Sequence, residues 1–163
     1  CAQSRHGTVK NLRIESMQEE QLMQKVEDEF TALLFRARQM LVRRAKIIHP
    51  ELQDQGYRLL AVVIREDAQQ QGVLAEKLRL DKATVSRLVQ HLQSIGLVSR
   101  TPDPQDGRAQ LVSATDEARE KWRSSGDMLR QQLRNHLSDW DHDDLEAFGH
   151  LMHRLNSTFD DIV

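Results

Sequence analysis

One cysteine, seven glycines and no long apolar run shut this chain out of several kinds of chemistry. Its single thiol, Cys1, cannot close an internal disulfide, which fits a reducing compartment, and it has no charge partner in sequence to make it a redox sensor. The glycines are scattered and build no phosphate-cradling loop, while a metalloprotease helix motif and a serine elbow are missing. A protein that is not an enzyme and needs no cofactor is expected. Apolar stretches stay short of membrane-spanning length, and residues 1–14, with Arg5, His6, Lys10 and Arg13, are too polar for a secretory signal. The expectation is a cytoplasmic protein with no membrane partner. His150 and His153 lie one helical turn apart, but no cysteine or carboxylate set stands at ligand spacing, so no metal is predicted.

What is present is a pattern of charge rather than an excess of it. A formal net charge of −2 would disfavour a phosphate-rich partner if it were spread evenly. Between 73 and 112, however, Lys77, Arg79, Lys82, Arg87, Arg100 and Arg108 outnumber Glu76, Asp81, Asp103 and Asp106. The last segment reverses this, with Asp139, Asp141, Asp143, Asp144, Glu146, Asp160 and Asp161 set against Arg154. One region suits nucleic acid and the other would be repelled by it.

Within the cationic region, Val85, Leu88, Val89, Leu92 and Ile95 recur at three- and four-residue steps and predict one buried helix face. Asp81 is placed to cap the start of that helix and Gly96 to end it. The opposite face presents Lys82, Thr84, Ser86, Arg87, Gln90, His91 and Ser94. A helix of this kind fits the DNA major groove, where residues near its N-terminus meet base edges. Arg87, with its planar fork, is the first candidate for reading a guanine, and Gln90 is a second base-contact candidate. Lys82, Thr84 and Ser86 suit phosphate, with Thr84 or Ser86 also within reach of a base.

Two short β-prone runs follow, 97–100 and 109–112, joined by a stretch dominated by turn formers. They predict a β-hairpin wing. Gly107 is expected to turn its tip, Asp106 to hold the guanidinium of Arg108, and Arg108 to enter the minor groove; Arg100 adds a cation at the base. The structural alternatives are a solvated surface helix and an ordinary hairpin.

In this order the segments resemble the MarR family of winged helix-turn-helix regulators. The matching stretches are YRLLAVV (57–63), LAEKL (74–78), LDKATVSRLV (80–89), Leu92, GLVSR (96–100), DGR (106–108), Leu111, Val112 and Thr115. The resemblance implies a mainly α fold: a winged helix-turn-helix with a small β-hairpin wing and a helical dimerisation arm. Two departures stand out. The family commonly has a glycine-containing link before its first motif helix and a glycine after the threonine that follows the wing. Here 67–71 and 115–118 contain none, and the first difference argues against a third small strand in the wing sheet.

Helices are expected near 17–47, 52–66, 69–79, 81–95, 115–136 and 142–162, the first two separated at His49 and Pro50. Residues 1–16 are expected to be a flexible N-terminal segment, 17–51 and 115–163 a helical dimerisation region, and 52–114 the winged helix-turn-helix. In the last helix Leu145, Phe148, Met152, Leu155, Phe159 and Ile162 step by three and four, a seam that wants another helix. Leu22, Val26 and Phe30 begin a second stripe near the N-terminus, and Ala118, Trp122, Leu129, Leu133 and Leu137 a third. These predict a homodimer, which is also how the family assembles.

The function so implied is sequence-specific binding of double-stranded DNA by a transcriptional regulator, a homodimeric repressor on a pseudo-palindromic operator. The resemblance further implies release by a small aromatic or phenolic effector in a cleft beside the dimer arm, with Phe35, Met40, His49, Tyr57 and Trp122 as candidate lining. The contrasting readings are a winged-helix protein-interaction module and a metal- or redox-responsive regulator.

Overall fold

The computed structural model describes residues 3–160, with side chains from 17 to 159. Cys1 and Ile162, both singled out above, lie outside the described residues, as do the side chains of Arg5, His6, Lys10 and Arg13. The element order is α1 (Gln3–Ile48), α2 (Asp54–Arg65), β1 (Gln69–Gln70), α3 (Gln71–Leu78), α4 (Lys82–Ser94), β2 (Val98–Pro102), β3 (Gln110–Ala114), α5 (Asp116–Leu137) and α6 (His142–Asp160). The chain divides into two compact units at Arg58 and Leu59, inside α2. Helix α1 is assigned from Gln3, ahead of the start near 17 that the apolar pattern suggests. Among the described residues no helix is long and apolar enough to cross a membrane.

The second unit is built around α3, α4 and a three-stranded antiparallel sheet. Val85, Val89 and Leu92 of α4 are fully buried, alongside Leu74, Ala75 and Leu78 of α3, Leu97 of the link after α4, and Val98 and Val112 from the sheet. Leu88 and Ile95 are half-buried at the edge of the same face. Each fully buried aliphatic contributes about 1.5–3 kcal/mol relative to exposure, so this face of α4 is held firmly and its polar face is left outward.

Both motif helices end in the same hydrogen-bond pattern. After α4, Gly96 sits at φ 74°, its N–H donating to the Gln93 carbonyl at 3.1 Å while Leu97 N–H donates to that of Leu92 at 2.9 Å. After α3, Arg79 takes φ 54°, and the N–H groups of Arg79 and Leu80 donate to Glu76 and Ala75 at 3.1 and 3.0 Å. These are paired C-terminal caps, and a left-handed residue is needed in each. A non-glycine residue there costs about 1–2 kcal/mol, against roughly 0.5–1 kcal/mol of extra chain entropy for glycine. An Arg79→Gly variant should therefore gain about 0.5–1 kcal/mol of stability in denaturant titration, whereas a loss would show that the arginine side chain itself holds the turn.

The sheet corrects one expectation. A third strand is present: β1 pairs with β3, Gln69 opposite Val112 and Gln70 opposite Leu111, in the order β1-β3-β2. The left-handed turn that a glycine would give is supplied by Asp67 at φ 57°, a short polar side chain that tolerates this region better than most. Its carboxylate pairs with Arg119 of α5 at 3.1 Å, and neighbouring Glu66 pairs with Lys77 of α3. Thr115 closes the other end. Its hydroxyl caps α5 by accepting the Ala118 N–H at 3.2 Å and donates to the Gly96 carbonyl at 2.8 Å.

Candidate nucleic-acid interface

Helix α4 carries its polar residues outward as its spacing requires. Lys82, Ser86, Arg87, Gln90 and His91 are exposed and Thr84 is half-buried. Asp81 caps the first turn, its carboxylate accepting the backbone N–H of Thr84 at 2.8 Å and the Thr84 hydroxyl at 2.6 Å. The Thr84 hydroxyl, followed by that backbone N–H, holds the Asp81 carboxyl below its ordinary range. Arg87 then donates from Nη2 to Thr84 Oγ1 at 3.3 Å. Asp81, Thr84 and Arg87 thus form one line along the helix.

Strands β2 and β3 pair from Val98 opposite Ala114 to Pro102 opposite Gln110 and carry the wing loop beyond them. Gly107 sits in the tip turn, with a negative φ, and the turn closes where Ala109 N–H donates to the Asp106 carbonyl at 2.8 Å. One detail of the loop differs from the expectation. The Asp106 carboxylate accepts the backbone N–H of Arg108 at 3.0 Å, so it shapes the turn and does not hold the guanidinium. Arg108 itself is exposed at the tip. Arg100, half-buried opposite Val112, has its Nε buried without a partner.

Asp103 is the residue that sequence reasoning passed over. It is 9% exposed, with one carboxylate oxygen accepting the Gln105 N–H at 2.8 Å and the other the Gln70 side-chain amide at 2.5 Å. It therefore ties the base of the wing to β1. The signal was available: an Asp two residues ahead of a backbone N–H, flanked by Pro102 and Pro104, is a turn builder. The Gln105 N–H, then Gln70, lowers its pKa. A carboxyl depressed in the fold stabilises it at any pH above the unfolded value, about 4, and that stability is lost as pH falls through the lower folded value. In an NMR pH titration the Gln105 amide should shift with a midpoint below about 3.9, the unperturbed Asp value. A midpoint at or above it would mean that the latch does not form.

Two of the candidate effector residues line separate cavities in the first unit. Phe35 lines a shallow cavity of about 420 Å³ with Arg38, Gln39, Val42 and Arg43. Tyr57, buried and accepting a 3.2 Å hydrogen bond from Arg44, lines another of about 380 Å³ with Leu41, Val42, Ala45, Leu52 and neighbouring polar groups. Met40 and His49 belong to neither lining. His49 has a local task, its Nδ1 accepting the Glu51 N–H at 3.1 Å in the turn before α2. Trp122 lies half-buried on α5, in the second unit. Among the described residues no three His, Cys, Asp or Glu side chains are grouped to hold a metal.

Two helices at a tight turn, the second presenting a cation-bearing polar face, followed by a β-hairpin wing that β1 extends to three strands, define a winged helix-turn-helix protein. Residues 52–109 match the model of the MarR family. The chain is 32% identical over 88 residues to the uncharacterized HTH-type transcriptional regulator YxaD of Bacillus subtilis, covering 54% of this chain and 62% of that one. It is 40% identical over 67 residues to the uncharacterized HTH-type transcriptional regulator YdgJ of the same organism, covering 41% of each. It thus spans less than two thirds of the length of both relatives. The crystal structure of YusO from Bacillus subtilis superposes with a TM-score of 0.71 at 18% identity, over 85% of this chain and 96% of that one, a likeness of fold. The similarity to the MarR family thus covers the region from α2 to the wing loop.

Proposed function

We propose that this protein is a sequence-specific double-stranded DNA-binding transcriptional regulator, acting as a homodimeric repressor on a pseudo-palindromic operator. The observation that carries the reading is the outer face of α4, where Lys82, Ser86, Arg87 and Gln90 are exposed on a helix capped by Asp81 and anchored by Val85, Val89 and Leu92. Arg87 and Gln90 are assigned to base edges, Lys82 and Ser86 to phosphate, and Arg108 to the minor groove beside the helix.

Dimerisation is supported by apolar surface that a single chain leaves in water. On α1, Leu22 and Val26 are 63% and 56% exposed, and on α6 Leu145, Phe148 and Leu155 are 37–40% exposed. Phe148 meets Trp140 edge-to-face at 5.4 Å, which fixes its ring without covering it. Apolar stripes of this extent mark association surfaces, and a second copy related by a two-fold axis matches the family's way of assembling. Such a dimer places half-sites about one helical turn apart, roughly 34–36 Å. The cavity beside Tyr57 is of a size that takes a small molecule, and we assign the releasing aromatic or phenolic effector to it.

Selection of duplexes from a random library by the purified protein tests this reading, with an enriched inverted repeat expected. An Arg108→Ala variant should bind the enriched sequence about three- to tenfold more weakly when its flanks are A·T-rich. An unenriched library would remove the operator reading, and an Arg108→Ala variant unaffected by the flanks would remove the wing assignment.

A further inference from the structure

We propose that Thr84 is a positioning residue for Arg87: its hydroxyl aims the guanidinium, so the base preference of α4 depends on a side chain that need not touch a base. The inference rests on the DNA-binding reading above and deepens it.

The argument starts from what each group can do. The Asp81 carboxylate only accepts and the Arg87 guanidinium only donates. The Thr84 hydroxyl stands between them, 2.6 Å from Asp81 Oδ2 and 3.3 Å from Arg87 Nη2. It must therefore give its one proton to Asp81 and offer a lone pair to Arg87. Both contacts involve an ion, which makes them stronger than neutral hydrogen bonds. Asp81 is itself fixed, because its other oxygen accepts the Thr84 backbone N–H at 2.8 Å. Branching at Cβ narrows the threonine χ1 to two rotamers in a helix, and the bond to Asp81 holds Oγ1 in place, as it would a serine hydroxyl.

Two consequences follow for recognition. With its proton committed to Asp81, Thr84 is a poor donor to a base or a phosphate, so its contribution passes through Arg87. With one Nη engaged, the remaining N–H groups of Arg87 are directed before DNA arrives. A freely rotating arginine at this exposed position would pair as readily with phosphate, which carries no sequence information. The line also brings an arginine toward Asp81, whose negative charge would otherwise stand bare at the helix end that approaches phosphate.

The test compares the parent with Thr84→Val, Thr84→Ser, Arg87→Ala and the Thr84→Val, Arg87→Ala double variant. Each is titrated by anisotropy against the preferred duplex and against one altered at the Arg87 base. Thr84→Val should lose about five- to tenfold in discrimination, while binding to unrelated duplex changes by less than about twofold. Thr84→Ser should keep most of the discrimination, and Thr84→Val should change nothing further in the Arg87→Ala background. Unchanged discrimination in Thr84→Val, or an equal loss in both backgrounds, overturns the inference. A DNA-free readout separates it from the DNA-binding reading: in the free protein the NMR order parameter of the Arg87 side chain should fall in Thr84→Val and hold in Thr84→Ser. An unchanged order parameter overturns the positioning role whatever happens on DNA. A parent protein that binds no duplex overturns the DNA-binding reading, and with it the recognition role of Thr84.

Discussion

An Arg87→Ala variant should still bind DNA but no longer choose among sequences. A bidentate arginine-to-guanine pair discriminates by about 1–3 kcal/mol, so the ratio of Kd values for an operator and a base-substituted duplex should shrink by about 5- to 150-fold. Affinity for unrelated duplex should change far less, because Lys82 and Ser86 remain to meet phosphate and Arg108 to enter the minor groove. The side chain is exposed and lies opposite the face carrying Val85, Val89 and Leu92, so the fold is expected to stay intact. Competition binding with specific and nonspecific duplexes measures the ratio directly. A loss of equal size on every sequence would move Arg87 from base reading to phosphate contact.

The second large effect concerns assembly. Leu155 lies on the exposed apolar side of α6, 37% exposed in the single chain. Placing a carboxylate there should cost little in an isolated subunit but leave an unpaired charge in a helix-to-helix interface, and a two-fold dimer carries that change twice. Leu155→Asp should weaken dimerisation by about 2–4 kcal/mol, the range of an interface hot spot, which corresponds to roughly 30- to 1,000-fold in the dissociation constant. Sedimentation equilibrium measures the constant, and circular dichroism checks that helix content is kept. A variant that dimerises as tightly as the parent would place the interface elsewhere. A parent that sediments as a monomer would remove the dimer altogether.

The parts of the interface that were legible in sequence are those in which one residue type has one physical reason to be where it is. Asp81 reads as a helix cap because it can satisfy free N–H groups, and Gly96 as a helix end because glycine enters the left-handed region without strain. The structure has both in those positions. The burial of Val85, Val89 and Leu92 follows from helical spacing in the same way. The apolar steps on α6 are equally plain in sequence, and Leu145, Phe148, Met152, Leu155 and Phe159 are exposed or half-buried in the single chain.

The features that escaped are set by backbone conformations and partners that residue type does not announce. Arg79 and Asp67 take left-handed conformations that neither residue type announces, Arg79 for the backbone bonds that close α3 and Asp67 at a turn braced by Arg119. Without a glycine in the link, β1 had no local signal, and it is its pairing with Val112 and Leu111 that makes it a strand. Asp106 illustrates a different ambiguity. A carboxylate two residues before an arginine can hold either its guanidinium or its backbone N–H, and the turn geometry selects the backbone. Asp103 and Gln70 meet across 33 residues, so only the assembled sheet reveals the latch.

The central claim is that α4 and the wing bind duplex DNA through a local concentration of cations on a chain whose total charge is slightly negative. Anisotropy of a labelled duplex carrying the selected site, titrated at a series of salt concentrations, tests this most directly. Affinity should be highest at about 50 mM salt and fall by at least about tenfold by 200 mM, as condensed counterions compete for phosphate. Absence of binding to any duplex at about 50 mM salt, or an affinity indifferent to salt over that range, would contradict it.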